Sequence, residues 1–179
     1  MMDKKIPSLF DVMVVDAELP GKVFGRPFEN YLFFDADISS SKAQVSAVQN
    51  IVVSCIDHDA EVEVFASSDR RFLAHVGQGL DWSIDICRLG TINRKAGDTG
   101  GLILLDAKRR WVVYQNRPVD VGLLAINCNV GLAGVVDVKD YFFDCGNVSD
   151  WLERKNQRDV DLVESFGAEF LVALIRNYH

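Results

Sequence analysis

The chain has 179 residues, of which 49% are hydrophobic and 25% charged, with a formal net charge of −7; this composition is that of an ordinary globular protein and argues against disorder. Its length suits one domain over residues 1–179 with a substantial core, and no run approaches the roughly 18 apolar residues of a membrane span. Residues 1–69 carry 12 acidic against 5 basic side chains, whereas residues 70–179 carry 14 of each; a one-sided negative field opposes nucleic acid and favours a basic protein partner.

The segment Met1 to Pro7 has no continuous apolar stretch followed by a small-residue cleavage site, so the expected compartment is the cytoplasm. Leu9 to Val15 and Tyr31 to Asp35 read as short strands separated by a turn-rich connection containing Pro20-Gly21, Gly25 and Pro27. Ser41-Lys42-Ala43-Gln44 has the form of a capping box, and Val45, Val48, Val52 and Cys55 recur at helical spacing, which predicts a helix over 42–54.

Next comes Asp57-His58-Asp59-Ala60-Glu61-Val62-Glu63-Val64-Phe65, with a carboxylate at every odd position from 57 to 63. In extended backbone, same-face neighbours stand roughly 6.6 Å apart, so the four acids would line one surface. Asp57 and Asp59 fit the turn after the helix, leaving Glu61 and Glu63 as the better strand residues.

Trp82, Ile84 and Ile86 alternate with Asp81, Ser83 and Asp85, the pattern of a half-buried strand. Leu102–Leu105, Trp111–Tyr114 and Val119–Ile126 read as a three-stranded antiparallel meander. Asp150 and Asp161 each have the acidic form of a helix start, and Val163, Phe166, Phe170, Leu174 and Tyr178 make an apolar stripe that predicts a closing helix over 159–177. The expected class is α+β, a largely antiparallel or mixed sheet packed by a few helices.

Cys55, Cys87, Cys128 and Cys145 include no C-x-x-C pair and read as free buried thiols. With only three histidines, two-plus-two zinc spacing is missing, so neither a metal nor a cofactor is expected. His58 would sit in an acidic turn and His75 in a partly buried position, and neither has an identifiable nucleophile beside it. Gly77-Gln78-Gly79 and Gly97-x-x-Gly100-Gly101 would cradle phosphate only between a strand and a helix, and both read as entering strands. Lys108-Arg109-Arg110 reads as a solvated hairpin tip, and the three tryptophans as core.

Tyr31-Leu32-Phe33-Phe34-Asp35-Ala36-Asp37-Ile38 resembles the first motif of haloacid-dehalogenase-like phosphatases. That resemblance implies Asp35 as phosphoryl acceptor and Asp37 as general acid/base near Mg²⁺, Ser54 in the second motif, and Lys95 or Lys108 as the phosphate-binding lysine. An aspartate pair at a strand-to-turn junction also serves as a cap, and the family's Gly-Thr is replaced by Ile38-Ser39.

In size, acidity and the stretches Arg110–Tyr114 and Pro118–Ile126, the chain resembles bacterial immunity proteins of polymorphic toxin systems, including those of contact-dependent growth inhibition. The resemblance implies an inhibitor without catalytic residues that binds a basic toxin domain, for instance a nuclease whose active site receives phosphates. The residues themselves place the partner-binding surface at Asp57, Asp59, Glu61 and Glu63, with Asp35 and Asp37 as neighbours. A self-associating subunit joined by a sheet edge or by Tyr141-Phe142-Phe143 is the other non-enzymatic reading.

Overall fold

The computed structural model describes residues 9–56, 60–77, 79–128 and 130–179. In chain order its elements are β1 (Asn30–Phe34), α1 (Lys42–Cys55), β2 (Val62–Ala66), β3 (Phe72–Val76), α2 (Trp82–Lys95), β4 (Leu102–Asp106), β5 (Trp111–Tyr114), β6 (Gly122–Ile126), α3 (Val136–Tyr141), α4 (Cys145–Leu152), α5 (Gln157–Phe166) and α6 (Ala168–Tyr178). The strands form one six-stranded sheet in the order β1-β6-β5-β4-β2-β3, antiparallel at every pairing. The fold is α+β, as the composition of elements predicts.

Strands β4, β5 and β6 are buried at every position because helices cover both faces of the sheet. Alternate side chains divide cleanly. Leu102, Leu104, Trp111, Val113, Leu124 and Ile126 pack on one face with Val48, Ile51 and Val52 of α1 and Trp82 and Ile86 of α2. Ile103, Leu105, Val112, Tyr114, Leu123 and Ala125 pack on the other with Val148 of α4, Val163 of α5, and Leu171 and Leu174 of α6.

The helix expected over 42–54 is α1, and the Ser41 side chain caps it by accepting from the Gln44 N–H at 3.2 Å. The expected meander is β4-β5-β6, except that its last strand starts at Gly122 rather than Val119. Other expectations are corrected. Leu9–Asp11 is a single 3-10 turn, and of the segment taken for a first strand only Met13 bridges, to Phe24. Residues 82–86 open α2 instead of a strand: Asp81 caps them by accepting from Ser83, Trp82 and Ile86 are buried one turn apart, and Ile84 is exposed. Five residues of alternation fit a helix face as well as a strand face, and the cap decides between them.

The closing helix is two helices. Gly167 has φ +87°, a conformation that side-chain-bearing residues avoid, and it separates α5 from α6. Asn156 rather than an aspartate caps α5, and the capping box of Asp144 and Asn147 starts α4 five residues before its predicted start, leaving Asp150 inside the helix. Cys55 and Cys128 are joined in a disulfide with Cα atoms 5.0 Å apart, while Cys87 and Cys145 are free thiols. Free thiols were expected at all four; a bridge across 73 residues leaves no local spacing signal.

Candidate protein-binding surface

Register fixes where the predicted acids lie. Val62 pairs with Asp106 and Ala66 with Leu102, while Asn30 pairs with Ile126 and Phe34 with Gly122. Following these pairs across the sheet puts Glu61 at the end that holds the β4–β5 turn, and Asp35 and Asp37 at the opposite end. A five-residue strand separates the two ends by roughly 16 Å. Glu61 and Glu63 therefore do not converge with Asp35 and Asp37 on one surface.

Glu63 is buried, and its carboxylate meets the Arg109 guanidinium at 2.5 Å, with side-chain exposures of 9% and 10%. One strand away, the fully buried Asp106 holds Arg110 through Nε at 2.8 Å and Nη2 at 3.1 Å and also accepts the Arg110 backbone N–H. The β4–β5 turn, in which Arg109 has φ +62°, thus folds two cations back onto sheet carboxylates, with Arg110 still partly exposed. Glu63 is thus buried and paired within the chain. Glu61 is exposed, and its carbonyl accepts from Ala107 N–H at 3.1 Å. Asp57, His58 and Asp59 lie outside the described residues.

At the other end, Asp37 is committed to its own turn. Its carboxylate accepts from Ser39 N–H and Oγ, receives the Ser40 hydroxyl, and stands 3.5 Å from Arg94. Asp35 is exposed. Of the remaining members of the phosphatase-like set, Ser54 is near the end of α1 and Lys108 is in the turn at the far end of the sheet, while Lys95 ends α2 next to Arg94. β1 is an edge strand of an antiparallel sheet, not the parallel strand that set requires. Among the described residues no group of three or more His, Cys, Asp or Glu side chains is placed to hold a metal ion.

The smaller candidates resolve similarly. His75 is exposed rather than partly buried, with its ring 4.8 Å from that of Phe72. Gly77 and Gly79 lie between β3 and α2, contrary to the reading that they enter a strand, but the Asp81 carboxylate already occupies the N-terminus of α2. Trp82 and Trp111 stack in the core with centroids 5.5 Å apart. Phe142 is buried against Phe34 and Phe143 is bonded to β1, so only Tyr141 of that aromatic trio is exposed.

One surface was missed. At the Asp35 end, Phe10, Val15, Asp16, Glu18, Asp69 and Arg70 line a hollow of about 330 Å³. A second hollow of about 280 Å³, with Asp120, Val121 and Phe170 in its wall, adjoins it through Glu18 and Asn116. Phe10 is 53% and Val15 61% exposed, and Asp16, Glu18 and Asp69 are exposed with them. Asp69 pairs with Arg71 and Asp120 with Arg117, whereas among the described residues no ion pair engages Asp16 or Glu18.

The floor beneath is tied by side-chain contacts and hydrogen bonds. Arg70, at φ +61° in the β2–β3 turn, holds its guanidinium 5.4 Å from the Tyr114 ring centroid. Burial pushes the Tyr114 phenol up, partly offset by Arg70. Fully buried Gln115 accepts from Ile38 N–H and donates to the Ala36 and Asp120 carbonyls. Burial opposes ionisation of Asp98, yet hydrogen bonds from Ser68, Gly100 and Asn93 and the charge of Arg71 outweigh it and hold the carboxyl below its ordinary value.

The signal for this surface was present in part. The acidic excess of residues 1–69 includes Asp16, Glu18 and Asp69, and exposed apolar side chains beside them appear once Leu9–Val15 is not read as a strand. No family model, no curated protein and no solved structure matches this chain.

Proposed function

We propose that this chain is an acidic protein-binding inhibitor, in its most concrete form an immunity protein that neutralises a basic toxin domain of the nuclease class by direct contact. The observation that carries the reading is the pair of adjoining hollows in which exposed Asp16 and Glu18, engaged by no ion pair among the described residues, stand beside exposed Phe10 and Val15. Specific interfaces combine an apolar anchor with a polar rim, and carboxylates on that rim favour a cationic partner and accelerate its approach. A nuclease active site, built to receive phosphates, offers such a cationic face.

The test begins with capture from the native host at low and high salt, using the parent chain and a variant carrying Asp16→Asn and Glu18→Lys. Asparagine tolerates the positive φ of position 16. The reading expects a basic protein retained at low salt by the parent, lost by the variant, and inhibited in its purified form by stoichiometric parent chain. A captured protein whose activity is unchanged by the parent, or one retained equally by the variant, contradicts it.

A further inference from the structure

A second groove runs along the outer edge of β1, which Phe143 covers at Phe33, away from the acidic hollows. Phe33 exchanges both backbone hydrogen bonds with Phe143, N–H to O at 2.7 Å and O to N–H at 2.9 Å, on the side facing away from β6. Backbone groups in an antiparallel strand alternate sides, so Tyr31, two residues earlier, turns its N–H and C=O to that same outer side. Among the described residues no hydrogen bond takes up either group.

Tyr31 opens into a hollow of about 940 Å³ between α3 and the α4–α6 layer, walled by Val135, Val138 and Phe142 on one side and Trp151 and Tyr178 on the other. Through Phe28, Tyr31 and Tyr178 it continues into a hollow of about 370 Å³. Its charged lining runs against the net charge of −7. Lys22, Arg26, Lys139 and Arg158 line the groove beside Glu29, Asp144 and His179; the Asp144 carboxylate is occupied in capping α4, and the Arg26 guanidinium donates to the Arg109 carbonyl and lies over the Phe28 ring. Among the described residues no ion pair engages Lys22, Lys139 or Arg158.

We propose that this groove binds an extended acidic segment of a partner protein by strand addition to β1. The open backbone pair at Tyr31 supplies the main-chain hydrogen bonds, the apolar walls take alternate side chains, and the lysine and arginine rim selects carboxylates. The proposal is independent of the acidic hollows and extends the chain from one interaction surface to two of opposite charge.

The probe is a fluorescein-labelled peptide of alternating glutamate and valine, followed by anisotropy with the full chain. Two versions are N-methylated at alternate peptide bonds, so that each blocks one edge of the peptide. The proposal expects saturable binding that weakens at least about tenfold, 1.4 kcal/mol, with Lys139→Glu and Arg158→Glu, both at exposed positions. It expects one methylated edge to abolish binding and the other to leave it intact, with amide shifts concentrated at residues 29–33 and 142–145. Equal binding of a lysine and valine peptide, indifference to which edge is methylated, shifts located elsewhere, or no binding at about 1 mM peptide would each overturn it.

Discussion

Glu63 shows how a residue's neighbours in space change its meaning. In sequence it belongs to a run of carboxylates without a cation; in the fold it touches Arg109, 46 residues away. Removing one member of a buried pair strands the other charge. Arg109→Met is therefore expected to cost about 3–5 kcal/mol in urea unfolding. Combining it with Glu63→Leu should recover a large part, giving a coupling energy of about 2 kcal/mol or more. Simple additivity of the two costs would show that the pair contributes nothing as a pair. Asp98 makes a pH prediction at the same scale. Its folded pKa lies below the unfolded value of 3.8. Its contribution is thus complete above that value and is lost as pH falls through the folded pKa. Asp98→Asn should lower stability at neutral pH and flatten the loss of stability below about pH 4; an unchanged acid limb would refute the assignment.

Among elements, the disulfide is the most consequential feature that local pattern did not reveal. It ties the end of α1 to the segment following β6 across 73 residues. Closing a loop of that size in the unfolded chain corresponds to about 4 kcal/mol in the chain-entropy account. Replacing both Cys55 and Cys128 by alanine should lower the unfolding free energy by about 2–5 kcal/mol with the secondary structure retained, measured by denaturant titration against the oxidised parent. An unaltered midpoint would mean that the bridge constrains little. Elements with local signals were legible in advance: α1 through Ser41 and its spaced valines, and the meander through turns between apolar runs. The start of α2 was not, because Trp82, Ile84 and Ile86 satisfy two periods at once and only the bond from Asp81 to Ser83 separates them. The split between α5 and α6 rests on the backbone angle of Gly167, which a continuous apolar stripe does not reveal.

For the whole molecule, strand register decides what the net charge means. The acidic excess of residues 1–69 reads as one surface in sequence, but antiparallel pairing sends Glu61 and Glu63 to one end of the sheet and Asp35 and Asp37 to the other. At the first end Arg109 and Arg110 neutralise buried carboxylates. At the second, exposed Asp16 and Glu18, which no ion pair engages among the described residues, stand beside Phe10 and Val15. The acidity was legible and its location was not, since location follows from pairings between distant segments. Among the described residues no helix is long and apolar enough to cross a membrane.

The most direct test of the proposed binding surface is the association rate of the purified partner as a function of salt, compared between two double variants. One carries Asp16→Asn with Glu18→Gln, and the other Asp35→Asn with Glu61→Gln, so both remove two exposed charges. Electrostatic steering through the hollows predicts an association rate lowered at least about tenfold at low salt, with a shallower salt dependence, for the first variant only. Equal slowing by both variants would reduce the effect to net charge, and slowing by the second alone would move the interface away from the hollows.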